Sequence, residues 1–177
     1  VKVREITFND NNAFDDGDLK SEMDETSETK WWKFWGGGKF DPKKYKEDKE
    51  LIVKFYKKNG YRDAEILSDS LIYSEDKKDL KIVMDVYEGP QYKLRNIKWE
   101  GNTVYPAYVL DERLDFAKGD IYDLEKFEQN LRGNEKQSDV SALYLDNGYL
   151  TFNLQTKETK VGEDSIDVAI RVEERNQ

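Results

Sequence analysis

Residues 56–94, YKKNGYRDAEILSDSLIYSEDKKDLKIVMDVYEGPQYKL, decide the fold. Asn59-Gly60 closes a helix, because glycine adopts the left-handed backbone that a helix end calls for. Ala64–Tyr73 reads as a strand and Glu75–Asp79 as a turn. Leu80–Tyr87 is a second strand whose Leu80, Ile82, Met84 and Val86 share one face. The stretch ends on Glu88-Gly89-Pro90, and the same plan then recurs. Tyr144-Leu145-Asp146-Asn147-Gly148-Tyr149 leads to a strand expected at about 150–156, a polar turn, and Ser165–Glu173 with Ile166, Val168, Ile170 and Val172 on one face. The chain of 177 residues is therefore a tandem repeat, with units expected at 1–91 and 92–177.

Working outward, residues 1–8 read as a strand in which the spacing of Val3, Ile6 and Phe8 suits a bulge or a strand edge. Phe14, Leu19 and Met23 fall at near-helical spacing, with Asp15 or Asp16 as N-cap. Asp41-Pro42 starts a longer helix, since proline's missing N–H costs nothing at the first helical position. Tyr45, Ile52, Phe55 and Tyr56 form its apolar stripe. In the second unit Leu94, Ile97 and Trp99 stand where Val3, Ile6 and Phe8 stood, and Val109, Leu110 and Leu114 mark a short helix. A long helix is expected over about 123–147, with a kink or frayed middle at 133–139, where apolar residues run out. Each unit thus reads strand, helix, helix, strand, strand. The simplest α+β solution is a three-stranded sheet covered on one face by two helices.

Composition removes several classes of function. A net charge of −9 repels nucleic-acid phosphate and anionic lipid, so no nucleic acid is expected as a partner. Histidine and cysteine are both absent, which takes away the commonest acid–base groups, thiol nucleophiles and soft metal sites. Asp15-Asp16-Gly17-Asp18 fails the EF-hand spacing and reads as a helix cap. Gly36-Gly37-Gly38 lacks the Lys-Ser/Thr that a phosphate loop carries. No enzyme, cofactor or metal is expected. No apolar run is long enough to cross a bilayer. The start at Val1 without Met is what a piece of a longer protein would show. An aromatic content of 13% argues for a folded core. Part of it is the interhelix segment 26–40, TSETKWWKFWGGGKF. Its Trp31, Trp32, Phe34 and Trp35 either thicken a thin core or form an exposed grip. Stacking of these rings on sugars would make the chain a carbohydrate-binding module instead.

Ordered motifs carry a family resemblance: Ile-x-Phe/Trp-x-Gly/Asp-Asn-x-x-Phe/Tyr, then Asn-Gly-Tyr after the long helix, then a hairpin ending in Val-x-Glu-Gly. The repeat resembles the POTRA domain, the polypeptide-transport-associated repeat, and within that family the BamA type. Trp31-Trp32 and Glu88-Gly89-Pro90-Gln91-Tyr92-Lys93-Leu94 resemble features of its third domain and of the joint to its fourth. Three departures are Asp10, where the first unit's Gly is usual, Glu173-Glu174 in place of the second unit's terminal Glu-Gly, and the continuation of the Trp31–Phe40 loop into Phe34-Trp35-Gly36-Gly37-Gly38. The resemblance implies a periplasmic arm at the bacterial outer membrane, with the membrane reached only through a C-terminal barrel. Its partners would be unfolded outer-membrane proteins and accessory lipoproteins. It also places the client-binding edge strands at Ala64, Glu65, Ile66, Leu67, Ser68, Asp69, Ser70 and Leu71, and at Leu150, Thr151, Phe152, Asn153 and Leu154. Glu88, Gly89, Pro90, Gln91 and Tyr92 become a restricted hinge, stiffened by the proline. The arm of a related secretion or plastid-type import receptor is the alternative within the fold.

Overall fold

The computed structural model describes residues 1–28 and 39–175. The first repeat runs β1 (Lys2–Asn9), α1 (Asp16–Ser21), α2 (Pro42–Lys58), β2 (Glu65–Tyr73) and β3 (Asp79–Tyr87). The second runs β4 (Lys93–Glu100), α3 (Ala107–Leu114), α4 (Leu124–Arg132), α5 (Val140–Asp146), β5 (Asn153–Val161) and β6 (Ser165–Glu173). Two three-stranded mixed sheets result, ordered β1-β3-β2 and β4-β6-β5. The central strand of each pairs parallel with the first strand and antiparallel with its hairpin partner. The α+β architecture expected from the repeat is the one observed.

Alternation drives it. Leu80, Ile82, Met84 and Val86 of β3 are buried beside Val3, Ile6 and Phe8 of β1, together with Leu19, Tyr45, Ile52 and Tyr56 from the helices. In the second repeat the core holds Leu94, Trp99, Leu110, Leu114, Phe127, Leu131, Tyr144 and the inner face of β6. The bulge expected in β1 falls between Val3 and Glu5, and β4 carries one between Leu94 and Ile97. Asp15 caps α1 in a reciprocal capping box with Asp18. Asp41 Oδ1 accepts the N–H groups of Lys43 and Lys44 at the start of α2.

Two expectations need correction. The helix expected over 123–147 is two helices, α4 and α5, separated by 133–139. That stretch, Gly133-Asn134-Glu135-Lys136-Gln137-Ser138-Asp139, offers nothing apolar to bury, and its short polar side chains compete for the backbone. Asn134 bonds to Ser138 and Asn130, Gln137 sits at φ 52°, and the Asp139 side chain accepts from Ala142 N–H to restart the helix. The second correction concerns β5, which begins at Asn153 rather than Leu150. Leu150 is still in the turn, its N–H bonded to the Gly148 carbonyl, while the Phe152 ring stacks on Tyr144.

The chain divides into two compact units, Val1–Lys57 with Asp63–Gly89, and Lys58–Arg62 with Pro90–Gln177. The turn Lys58–Arg62 therefore folds with the second unit. Gly60, at φ 90°, accepts through its carbonyl from Arg62 N–H (3.0 Å) and Tyr92 N–H (2.8 Å). The Gln91 amide donates to the Asn59 carbonyl at 2.9 Å. Arg62 reaches both carboxylate oxygens of Glu158, at 3.1 and 2.9 Å, and the Tyr122 hydroxyl donates to the same carboxylate at 2.8 Å.

Candidate functional site

A three-stranded sheet has two rims, and a rim matters only where its backbone groups are left unpaired. On β1 two outward N–H groups are capped by carboxylates. Ile6 N–H donates to Glu28 Oε1 at 2.9 Å and Phe8 N–H to Asp16 Oδ2 at 3.4 Å. On β2, among the described residues, no side chain or loop caps the outer rim. Among the described residues, β2 is thus the less covered of the first unit's two edge strands.

That rim is apolar as well as open. Leu67 is 60% exposed and Ile72 52%. Leu67 is the extra residue of a bulge, since Ile66 pairs with Val86 and Ser68 with Asp85. Asp69, Leu71 and Tyr73 lie opposite Met84, Ile82 and Leu80, on the helix side of the sheet. Asp69 is tied to α2: the Tyr45 hydroxyl donates to it at 2.7 Å and Lys49 Nζ at 3.0 Å. Partial burial works to raise the Asp69 carboxyl, but the bonds from Tyr45 and Lys49 outweigh it and hold the group below its ordinary value. Burial, reinforced by Asp69, pushes the Tyr45 phenol up. Between α2 and the first half of β2 runs a groove of about 490 Å³, walled by Lys46, Lys49 and Val53 on one side and Ile66, Leu67 and Ser68 on the other.

The second unit's rim differs. β5 pairs with β6 without a bulge from Asn153 to Val161. Its sequence, NLQTKETKV, sets Lys157, Glu158 and Lys160 along the strand, and charge is how natural edges are blunted. Arg132 also donates to the Leu154 carbonyl at 3.0 Å. Leu150, Thr151 and Phe152, expected on this edge, precede the strand, so only Asn153 and Leu154 of that set lie on it. Trp31, Trp32, Phe34 and Trp35 lie outside the described residues.

Of the five joint residues, Glu88 is committed to the first unit. Its carboxylate accepts Asn12 N–H (2.9 Å), Ala13 N–H (3.0 Å) and the Tyr56 hydroxyl (2.9 Å). Gly89 sits at φ 68°, and Tyr92 is buried in the second unit's core. The clasp made by Glu88 is repeated by Glu174, which accepts Thr103 N–H (2.8 Å), Val104 N–H (3.1 Å) and the Tyr144 hydroxyl (2.6 Å). The recurring glutamate thus ties the turn after the first strand to a tyrosine on the helix that precedes the hairpin, Tyr56 of α2 in the first unit and Tyr144 of α5 in the second. In the second unit it is Glu174 that answers to Glu88, and Arg175 falls where Gly89 stood.

Partial burial works to raise the Glu174 carboxyl, but its bonds from Thr103, Tyr144 and Val104 win and hold it below the ordinary range. A group depressed on folding contributes stability that is present above its unfolded pKa, about 4.3, and lost as pH falls through the folded value. Acid melts of the second unit should therefore lose stability below about pH 4.3, and Glu174→Gln should flatten that slope while lowering stability at neutral pH. An unchanged acid slope in Glu174→Gln, read by amide exchange of Thr103 and Val104, would remove Glu174 as its source.

Comparison with known proteins fits this geometry. The family described as "Surface antigen variable number repeat", POTRA, matches residues 1–89 and again 92–175. The chain belongs to the POTRA family. Among curated relatives, the outer membrane protein assembly factor BamA of Neisseria meningitidis serogroup B is 28% identical over 127 residues, 71% of this chain and 16% of that protein. BamA of Buchnera aphidicola is 26% identical over 98 residues, 55% of this chain and again 16% of the relative. This pair of POTRA domains therefore aligns to about one sixth of those relatives' length. Among solved structures, POTRA3-5 of Haemophilus influenzae BamA superposes with a TM-score of 0.72 at 22% identity, over 99% of this chain and 67% of that one. BamA of Haemophilus ducreyi lacking POTRA domains 1-3 gives 0.69 at 19% identity, over 99% and 30%. At such identities the superpositions speak for the fold alone.

The sequence did not single out Lys46, Lys49 and Val53 as a groove wall, although their spacing on α2 puts them on one helix face. Nor did it separate the two rims. The signal was present in the charges of NLQTKETKV against the apolar EILSDSLIY.

Proposed function

We propose that the chain is part of the periplasmic arm of a BamA-like outer-membrane assembly receptor, and that its first POTRA domain binds nascent outer-membrane proteins along β2. The open, apolar, bulged rim of β2 beside the α2 groove is the observation that carries this reading. Barrel-forming segments alternate apolar and polar residues, and a strand added to β2 pairs through its main chain whatever its detailed sequence. Alternate side chains of the added strand then point toward Leu67 and Val53 on one side and solvent on the other. About five main-chain hydrogen bonds at ~1 kcal/mol net each, set against the cost of association, leave binding in the micromolar-to-millimolar range. Weak binding suits a receptor that must pass its client on. In this reading β5 is the lesser edge, Glu88–Tyr92 is the hinge between successive domains, and accessory lipoproteins dock on the same arm. Binding and relay, without catalysis, are its role.

Short amphipathic barrel-strand peptides titrated into isotope-labelled protein test the proposal. Amide shifts should concentrate on Glu65–Tyr73, with smaller ones on Asn153–Val161. Leu71→Pro removes a backbone donor that faces away from β3 and should abolish the first set while leaving the β2–β3 ladder intact. No shift at about millimolar peptide, or shifts confined to the outer face of β1, would sink the edge reading.

A further inference from the structure

β1 and β4, the strands that begin the two repeats, match in register. Ile6 lies opposite Ile82 and Phe8 opposite Met84; Ile97 lies opposite Val168 and Trp99 opposite Ile170. Each is an edge strand, and alternate residues along it turn their N–H groups inward and outward. The outward groups on β1 belong to Ile6 and Phe8, so those on β4 belong to Ile97 and Trp99. In the first unit both are taken, Ile6 by Glu28 Oε1 at 2.9 Å and Phe8 by Asp16 Oδ2 at 3.4 Å.

The second unit has lost both caps. Asp16 begins α1, three residues before the buried Leu19; the residue that begins α3, three before the buried Leu110, is Ala107, which carries no acceptor. Glu28 comes from the connection between the first unit's helices, residues 22–41, and in the second unit that connection shrinks to 115–123. The partner of the missing glutamate has changed as well. Lys20 pairs with Glu28 at 3.2 Å, whereas its counterpart Asp111 accepts the Trp99 indole N–H at 2.6 Å. Among the described residues no acceptor meets the backbone N–H of Ile97 or Trp99. Only the start of the β4 rim is closed, where Leu94 N–H bonds to the Asp120 carbonyl at 2.8 Å and Gly119 N–H to that of Leu94 at 2.7 Å. Because the first unit closes its rim with its own Asp16 and Glu28, closure here belongs to the single repeat and not to a neighbouring one.

A cavity of about 220 Å³ opens beside the two free donors. Half-buried Ile97 and Phe116 give it apolar walls, and Asp111, Lys118 and Arg95 supply its charges. Arg95 is spent on Asp167, at 2.9 and 2.6 Å, and Lys118 offsets Asp111, so the cavity has no net charge with which to draw an anion. A neutral main-chain carbonyl therefore suits Ile97 and Trp99 better than the carboxylates that cap β1. We propose that β4 accepts an extended polypeptide segment along Ile97–Trp99, with carbonyls of the segment on the two free N–H groups and one apolar side chain in the cavity. Side chains of an added strand alternate, so the one above the helix side of the sheet meets Ile97 and Phe116 while its neighbours face solvent. The proposal rests on the reading of the arm as a receptor for unfolded chains. It gives that receptor a second edge, short and on the strand opposite β5, where the first unit uses the strand opposite β1.

Amide exchange of the 177-residue protein should be faster at Ile97 and Trp99 than at the capped Ile6 and Phe8. Amphipathic barrel-strand peptides should slow it there and shift the amides of Ile97–Glu100 as well as those of Glu65–Tyr73. Ala107→Asp restores the missing cap at a helix start, where a carboxylate is favourable. It should slow Trp99 exchange without peptide and weaken the Ile97–Glu100 shifts severalfold, leaving Glu65–Tyr73 unchanged. Ala107→Glu, one methylene longer, replaces it if Trp99 is not slowed, and thermal melts check folding. Shifts absent from Ile97–Glu100, undiminished in the capped variant, or reproduced by acetate at the peptide's concentration overturn the inference, and shifts on Glu65–Tyr73 then still uphold the β2 reading. Shifts on Ile97–Glu100 alone uphold the inference and overturn the β2 reading.

Discussion

Gly101→Ala should unfold much of the second unit's margin of stability. Gly101 sits at φ 80°, and a β-carbon there would lie 2.3 Å from the Val172 carbonyl oxygen. Two costs combine. Left-handed backbone costs a residue with a β-carbon roughly 1–2 kcal/mol. The overlap is with the main chain of β6, which cannot turn aside as a side-chain tip would, and forced packing of this kind adds about 1–3 kcal/mol. Together these come to about 3 kcal/mol or more, and for a domain of this size that lowers the melting temperature by roughly 15 °C. Gly119 provides the control. Its φ is 91° and nothing lies within 4 Å of its missing β-carbon, so Gly119→Ala carries the backbone strain without the clash. Scanning calorimetry of the two variants should separate them by several degrees. Equal melting temperatures would show that Val172 yields and that the close approach is not what selects glycine here.

The first unit shows the same turn under looser terms. Its matching residue is Asp10, at φ 64°, a left-handed position that aspartate tolerates better than most residues. The sequence marks this as a departure from the usual Gly, and the turn keeps its form because Glu88 still takes the N–H groups of Asn12 and Ala13. What was legible follows from period and punctuation: alternation in β3 and β6, the helix stop at Gly60, and the start at Asp41-Pro42. What was not legible depends on which neighbour a polar side chain finds. The residues of GNEKQSD leave open whether a helix bends or stops; the stop is made where Asn134 bonds to Ser138 and Asp139 accepts the N–H of Ala142, and Arg113 from α3 donates to the Asp139 carbonyl. Nor does a strand's own sequence show that two outward N–H groups of β1 are capped, because Glu28 and Asp16 reach them from other segments. Rim chemistry is a tertiary property. It decides that β2 and β1, edges of one sheet, do not offer a passing strand the same surface.

Asp48→Ala should destabilise the first unit about as much as emptying a core position would. Asp48 lies on α2 and is 1% exposed, a carboxylate taken out of water within a charged protein. Three backbone donors hold it there: Asp24 N–H at 2.9 Å, Glu25 N–H at 3.2 Å and Thr26 N–H at 2.6 Å. Burying an ion is tolerable only when such bonds replace its hydration. Here they also fasten the chain after α1 to the face of α2. Alanine removes the acceptor and leaves three N–H groups competing for whatever water can enter. Bonds to a charged acceptor are worth about 1.5–3 kcal/mol, and orphaned donors cost about 1–3 kcal/mol, so a net loss of about 3 kcal/mol is expected. Asn is the sharper probe because it keeps the shape. Its single oxygen can serve Asp24 and Glu25, but its NH₂ group then faces Thr26 N–H, donor against donor. Asp48→Asn should therefore lose about 2 kcal/mol, with amide exchange accelerated most at Thr26. If exchange at Asp24, Glu25 and Thr26 is unchanged in both variants, the turn is held by packing around Met23 and not by the carboxylate. The distinction bears on function, because the same helix presents Lys46, Lys49 and Val53 to the groove beside β2. Asp48 fastens α2 to the segment after α1, and the Tyr45–Asp69 bond fastens it to β2, the other wall of that groove. Peptide shifts on Glu65–Tyr73 should accordingly weaken in Asp48→Asn even where the fold survives.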